Sequence, residues 1–200
     1  MPSARSTTRS AGRPRDPELD QRIQDAAIAV YYDEGWAGYN FDAVANRAGV
    51  GKSSIYLRWS SKEGLLVDAL RARTAHITTV DTGTLRGDLI EMACQQIKNY
   101  TAPYGLVTLR LIVESPKHPA LASRSRQRLD AHLSERDMIM ERAVRRRELA
   151  NDSPRELILD SISGAVLNMV ISRSESARQE LRENANAYAT SIVDFVLRHA

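Results

Sequence analysis

A chain of 200 residues with 42% apolar and 26% charged side chains has the composition of an ordinary globular protein of one or two domains. A net charge of only +3 excludes a polycation, and the single cysteine, Cys94, excludes an internal disulfide or a cysteine-rich metal site. No apolar run reaches the ~18 residues that cross a bilayer, and no apolar core follows the basic N-terminus as in a secretory signal, so a cytoplasmic protein without a membrane partner is expected.

Residues 1–15 carry Arg5, Arg9, Arg13 and Arg15 and no acid, among Ser, Thr and Pro. With almost nothing to bury, this arm is expected to be disordered alone. It reads as an electrostatic foothold on DNA, through Arg13 and Arg15, or as a solubilising tail. Residues 16–60 reverse the balance, with seven acids (Asp16, Glu18, Asp20, Asp25, Asp33, Glu34, Asp42) against four bases (Arg22, Arg47, Lys52, Arg58).

Pro17 suits a helix start, and Leu19, Ile23, Ala26, Ala27, Val30 and Tyr31 follow at helical spacing to an end near Gly35. Trp36 and Tyr39 in the connection are expected to pack, and Asn40 to cap the next helix. In that helix Phe41, Val44, Ala45 and Ala48 form one stripe, and Gly49 stands where a left-handed cap wants no Cβ. Lys52 to Trp59 repeats the pattern, with Ile55 and Trp59 one turn apart. Two short helices about a Gly-containing turn are a helix-turn-helix. Its second helix keeps Lys52, Ser53, Ser54, Tyr56 and Arg58 off the apolar stripe, a row of donors suited to phosphates and base edges.

Ser61 is placed as a cap with Glu63 in the first turn, and Leu65, Leu66, Ala69, Leu70, Arg73, Ile77 and Val80 extend a stripe long enough to act as a lever. Val80–Thr84 marks a boundary. Beyond it the pattern stays helical: Leu85–Tyr100, an apolar Tyr104–Glu114, a break at residues 115–119, then Ala120–Arg147 with Leu121, Leu129, Leu133, Met140 and Val144 inward. Ser153 as cap with Pro154 and Glu156 starts a segment over 154–171, and residues 178–198 form the last helix. His76, His118, His132 and His199 are isolated, and no phosphate loop or nucleophile pattern occurs. No enzymatic activity, metal or cofactor is expected.

The string AnRAGVgKssiYlrWsSKEgLL resembles the N-terminal signature of the TetR family of bacterial repressors, over about residues 16–70; beyond residue 80 the likeness is one of architecture. The resemblance implies an all-α fold: a three-helix head over 16–60, a connecting helix over 61–80, and a helical effector-binding and dimerisation bundle over 84–200. It implies Lys52, Tyr56, Arg58 and Lys62 on phosphates with Asn40 and Arg47 nearby, and Ser53, Ser54 and Leu57 at base edges. Gly51 departs from the family's Ser or Thr, Arg58 from its His and Trp59 from its Phe. Ser53 and Ser54 replace its Gly-Thr pair, so a different operator sequence is expected.

For an effector, the polar and adaptable residues of the bundle are Cys94, Tyr100, Tyr104, Arg110, Glu114, His118, Met138, Asn168 and Met169; residue by residue the core reading is the stronger, the methionines and tyrosines above all, and Asn168 is the best single polar candidate. Ser161, Gly164 and Ala165 with Tyr188, Ile192, Phe195 and Val196 form the expected homodimer interface. The function implied is a repressor released from a palindromic operator in double-stranded DNA by an unknown small molecule. An activator or ligand-independent regulator is the nearest alternative, and a helical protein-interaction module the alternative of another class.

Overall fold

The computed structural model describes residues 16–74 and 80–199, and every regular element among them is helical. Arg13, Arg15 and Ile77 lie outside the described residues, as do the side chains of Arg73 and Leu129.

Helix α1 (Pro17–Gly38) starts where Asp16 accepts from the N–H groups of Glu18 and Leu19, at 3.1 and 3.3 Å. Its stripe Ile23, Ala26, Ala27, Val30 and Tyr31 is buried. The helical path breaks at Gly35, as the sequence suggests, but a further turn follows to Gly38. The break uses φ 67° and ψ −172°, a left-handed backbone open to glycine. A Cβ there would also overlap the Arg110 guanidinium. Helix α2 (Phe41–Ala48) is capped by Asn40, whose Oδ1 accepts from the Ala43 N–H at 2.9 Å, and is closed by Gly49 at φ 65°.

Helix α3 (Lys52–Tyr56) is shorter than the expected Lys52–Trp59. Arg58 and Trp59 both return their N–H groups to the Ile55 carbonyl, so the chain tightens into a turn and swings Trp59 beneath the helix. Ser61 caps α4 (Lys62–Thr74), accepting from the Gly64 N–H at 3.1 Å.

The rest comprises α5 (Leu85–Thr101), α6 (Val107–Glu114), a 3₁₀ turn at Ser115–Lys117, α7 (Pro119–Arg145), α8 (Arg155–Ile171), α9 (Glu175–Glu183) and α10 (Ala185–His199). Three details differ from the sequence reading. The residue ahead of α8 is Pro154 rather than Ser153, because Ser153 offers its carbonyl, not its hydroxyl, to the Arg155 N–H. The single last helix is two, divided at Asn184, where φ −106° and ψ 23° leave the helical path. Leu133 faces solvent rather than core.

Two apolar cores result. One joins α1 to α4 and includes Val107 and Leu111 of α6 and Leu121 of α7. The other joins α5, the second half of α7, and α8 to α10. Helix α4 is therefore part of the head's core, with Leu65, Leu66, Val67, Ala69 and Leu70 buried against it. Each such leucine or valine fully removed from water contributes about 1.5–3 kcal/mol.

At the edge of the second core, the buried Asp88 at the start of α5 accepts from the Thr82 N–H at 2.6 Å and from Arg146 Nη2 at 2.9 Å. Burial alone would raise its pKa, but these bonds outweigh it and hold the carboxyl below the ordinary range. The α7 end is thereby tied to the α5 start.

Candidate nucleic-acid interface and ligand cleft

Ile55 and Trp59 anchor α3 from behind, with Trp59 Nε1 donating to Asp68 at 3.1 Å. Tyr56 and Leu57 lie on the other side, 63% and 80% exposed, with Lys52 and Ser53 also exposed and Ser54 half-buried. The Tyr56 ring stands edge-on to Phe41 at 5.0 Å, which fixes its direction while its hydroxyl faces water. A large apolar residue and a phenol left in solvent on a helix pinned from below form a surface that can enter a groove.

The cations around it are less free than their spacing suggests. Arg58, only 13% exposed, bonds through Nε to Asp20 and through Nη1 to the Ser54 carbonyl at 3.0 Å. Lys62 donates to the Tyr39 carbonyl at 2.8 Å and sits 4.1 Å over the Trp36 ring. Both expected phosphate contacts are thus turned inward, because a neighbouring carboxylate and a cluster of carbonyls and aromatic rings lie within their reach. Arg47 pairs with Asp33 at 2.9 Å and Lys52 pairs with Asp42, both in the open, where exchange for a phosphate costs little. Asn40 spends its side chain on the α2 cap and on the Gly38 carbonyl at 2.9 Å. Three of the seven acids over residues 16–60, Asp20, Asp33 and Asp42, take Arg58, Arg47 and Lys52 in turn.

The expected effector residues do not come together around one cleft. Cys94 is buried in the body core, and Tyr100 and Met169 pack partly buried against it. Tyr104 meets Tyr32 edge-on at 5.4 Å, and Arg110 donates to the Tyr32 carbonyl at 2.6 Å and to Glu114 at 2.9 Å. Glu114 accepts from Tyr31, and the His118 ring lies 5.2 Å from Trp36. Tyr104, Arg110, Glu114 and His118 therefore join α1 to α6 and the start of α7. Asn168 is on the outer face of α8.

Of the expected set, Met138 alone lines the cleft between α5 and α7. That cleft has about 40 Å³ of interior space, bounded by Met92, Gln95, Gln96 and Asn99 of α5 and by Arg136, Ile139 and Arg142 of α7. Gln96 was findable from sequence: it falls on the Leu89, Met92, Ala93 stripe of α5, a polar residue where a core residue belongs.

Ser161, Gly164 and Ala165 are exposed on α8, on the face that also presents Leu157 and Asn168. A Cβ at Gly164 would meet nothing within 4 Å. Phe195 on α10 is 65% exposed, while Tyr188, Ile192 and Val196 pack partly buried beside it. No helix of the described residues is long and apolar enough to cross a membrane.

Over residues 23–69 the chain matches the family model of bacterial regulatory proteins, tetR family, and over residues 79–195 that of the tetracyclin repressor-like C-terminal domain. It is 31% identical to the HTH-type transcriptional regulator AqdR of Rhodococcus erythropolis over 153 residues, 76% of this chain and 74% of that protein. It is 35% identical over 161 residues to the DNA-binding transcriptional repressor TetR of Mycobacteroides abscessus, 78% of this chain and 79% of that one. Its fold is shared by the fatty acid degradation regulator FadR of Bacillus halodurans, with a TM-score of 0.71, 18% identity and coverage of 92% and 97% of the two chains. FadR of Bacillus subtilis, solved in complex with stearoyl-CoA, gives 0.69 at 17% identity, covering 88% and 96%.

Proposed function

The chain belongs to the TetR family and is a DNA-binding regulator of transcription; from that premise we propose that it is a cytoplasmic repressor, a homodimer released from a palindromic operator by a small molecule. The observation that carries the reading is the exposed row on α3, where Tyr56 and Leu57 stand in solvent above the buried Ile55. Tyr56, Lys52 and Arg47 meet phosphates, and Ser53, Ser54 and Leu57 meet base edges. Serine and leucine discriminate weakly, so DNA shape supplies part of the preference. Arg13 and Arg15 of the basic arm add a sequence-independent attraction.

The exposed α8 face and Phe195 pair with the same face of a second copy, which sets two heads on two half-sites. The small molecule enters the α5–α7 cleft. Because α7 also packs against α4 and the 3₁₀ turn, parting α5 from α7 shifts the heads, and the ligand favours the state whose spacing misses the operator. One relative is named a repressor and one structural neighbour holds an acyl-CoA, which supports a ligand-released mode of action here.

A gel-shift titration of labelled DNA from upstream of the gene, run at rising salt, tests the reading. A discrete complex on an inverted repeat is expected, weakening steeply with salt and lost in Tyr56→Ala. The same affinity for unrelated DNA of equal length would refute it.

A further inference from the structure

Among the described residues, four buried side-chain nitrogen or oxygen atoms make no hydrogen bond: Gln96 Oε1 and the Nε atoms of Arg136, Arg142 and Arg146. The first three belong to residues that line the α5–α7 cleft. Buried polar atoms are nearly always satisfied, so three unmet ones on residues that line a single cleft call for a partner. Gln96 is 8% exposed, and its Nε2 donates to Ser163 Oγ at 3.2 Å, which pins the amide and leaves Oε1 as an unused acceptor. Arg136 Nε offers an unused donor, while Arg142 Nε faces the Asp81 carboxylate at 3.8 Å without a hydrogen bond. A hydroxyl, or any group that donates and accepts along one edge, answers both.

The charge of that partner follows from what the guanidinium groups already hold. Arg136 pairs with Asp160 at 2.7 Å. Arg142 donates to the Val80 carbonyl and has Asp81 and Asp88 each at 3.8 Å. Glu135 also borders the cleft. A further anion would be desolvated beside four carboxylates, and a cation beside two guanidiniums. A neutral molecule avoids both costs.

The remaining walls are Val80, Met92, Met138 and Ile139, with the amides Gln95 and Asn99 beside them, so the body of the ligand is mainly apolar. The present 40 Å³ holds about three waters, and an apolar void that accepts a benzene ring is ~150 Å³. Methionine adapts its shape readily, and Met138 is 40% exposed, free to swing outward and admit a ring.

We propose that the α5–α7 cleft binds an uncharged, mainly apolar molecule of the phenol or alcohol class, whose hydroxyl donates to Gln96 Oε1 and accepts from an arginine Nε–H. This rests on reading the cleft as the effector site.

Calorimetry of the full chain without DNA tests it, with 4-propylphenol, 4-propylanisole, propylbenzene and 4-propylbenzoate as probes. The phenol is expected to bind at least about tenfold more tightly than the ether or the carboxylate, because a polar site penalises an analogue that leaves it unpaired. Gln96→Met is expected to remove that preference while keeping the affinity for propylbenzene. Met138→Trp, at a position already partly in solvent, is expected to fill the cleft and block all four, which keeps the idea testable should the Gln96 variant fail to fold. Binding of none of them, a cleft filled by water alone, overturns the proposal. So does tightest binding of the benzoate, tighter binding of stearoyl-CoA than of the phenol, or a phenol preference that survives Gln96→Met. Operator binding is scored separately: a chain that ignores DNA yet prefers the phenol refutes the repressor reading and upholds the cleft's chemistry.

Discussion

The Tyr31 hydroxyl donates to the Glu114 carboxylate at 2.9 Å, joining the middle of α1 to the end of α6 across 83 positions of chain. Glu114 is held at the same time by Arg110, whose guanidinium reaches on to the Tyr32 carbonyl and closes over Gly35. One small cluster thus fastens the head to the body.

Tyr31→Phe removes a hydrogen bond to a charged acceptor and leaves the ring in place. Such bonds contribute about 1.5–3 kcal/mol. The lower end is expected, because Glu114 keeps some contact with water. Urea unfolding should show a lower midpoint at unchanged slope. An unaltered midpoint would mean that the fastening is worth nothing.

Stability should also fall in acid. Burial would raise the Glu114 carboxyl, but its bonds from Arg110 and Tyr31 outweigh that and hold it below the ordinary range; Asp88 behaves alike under Thr82 and Arg146. A carboxyl depressed in the folded state contributes stability above its unfolded value, near 4, and loses it as pH drops through the folded value. Melting temperature measured from pH 7 to pH 3 should decline in the wild type. Glu114→Gln and Asp88→Asn should start lower and decline less.

Lys52→Ala and Tyr56→Ala should weaken operator binding with the circular dichroism unchanged. Arg58→Ala should act differently. Its pair with Asp20 is largely buried, and breaking such a pair costs on the order of 3 kcal/mol, so the variant should melt early. A stable Arg58→Ala protein that lost only DNA affinity would restore Arg58 to the phosphate contacts.

Asp42→Asn releases Lys52 from its carboxylate, and Asp33→Asn does the same for Arg47. Each freed cation that reaches a phosphate steepens the dependence of log K on log salt by about 0.9. Affinity for unrelated DNA should therefore rise at low salt in both variants. Unchanged slopes would show that these aspartates do not restrain binding.

Gly164→Arg places a charge on the open α8 face and Phe195→Glu another on α10. Each should leave a 22.3 kDa particle by light scattering, where the parent is expected to give twice that mass. A dimeric double variant would move the interface elsewhere.

The head was legible because its marks are local. Asn40 and Gly49 close α2 as their types require, and Ile55 with Trp59 declares the buried side of α3. The fate of Arg58 and Lys62 was not legible, because Asp20 and the Trp36 and Tyr39 carbonyls that take them are neighbours only after folding. The same holds for the effector candidates: Arg110 and Glu114 look like pocket polarity in the sequence and turn out to serve the α1–α6 contact. Gln96 shows the reverse. Its place in an apolar stripe was visible, but its unmet oxygen depends on Ser163, 67 positions away.

Val107, Leu111 and Leu121 belong by chain order to the body and by packing to the head. A fragment stopped at the Val80–Thr84 boundary would lack these lids and carry a bare greasy patch on α1 and α4. Expressed by itself, such a truncation should clump or melt near room temperature, whereas a version carried through Leu121 has what it needs to close its own interior.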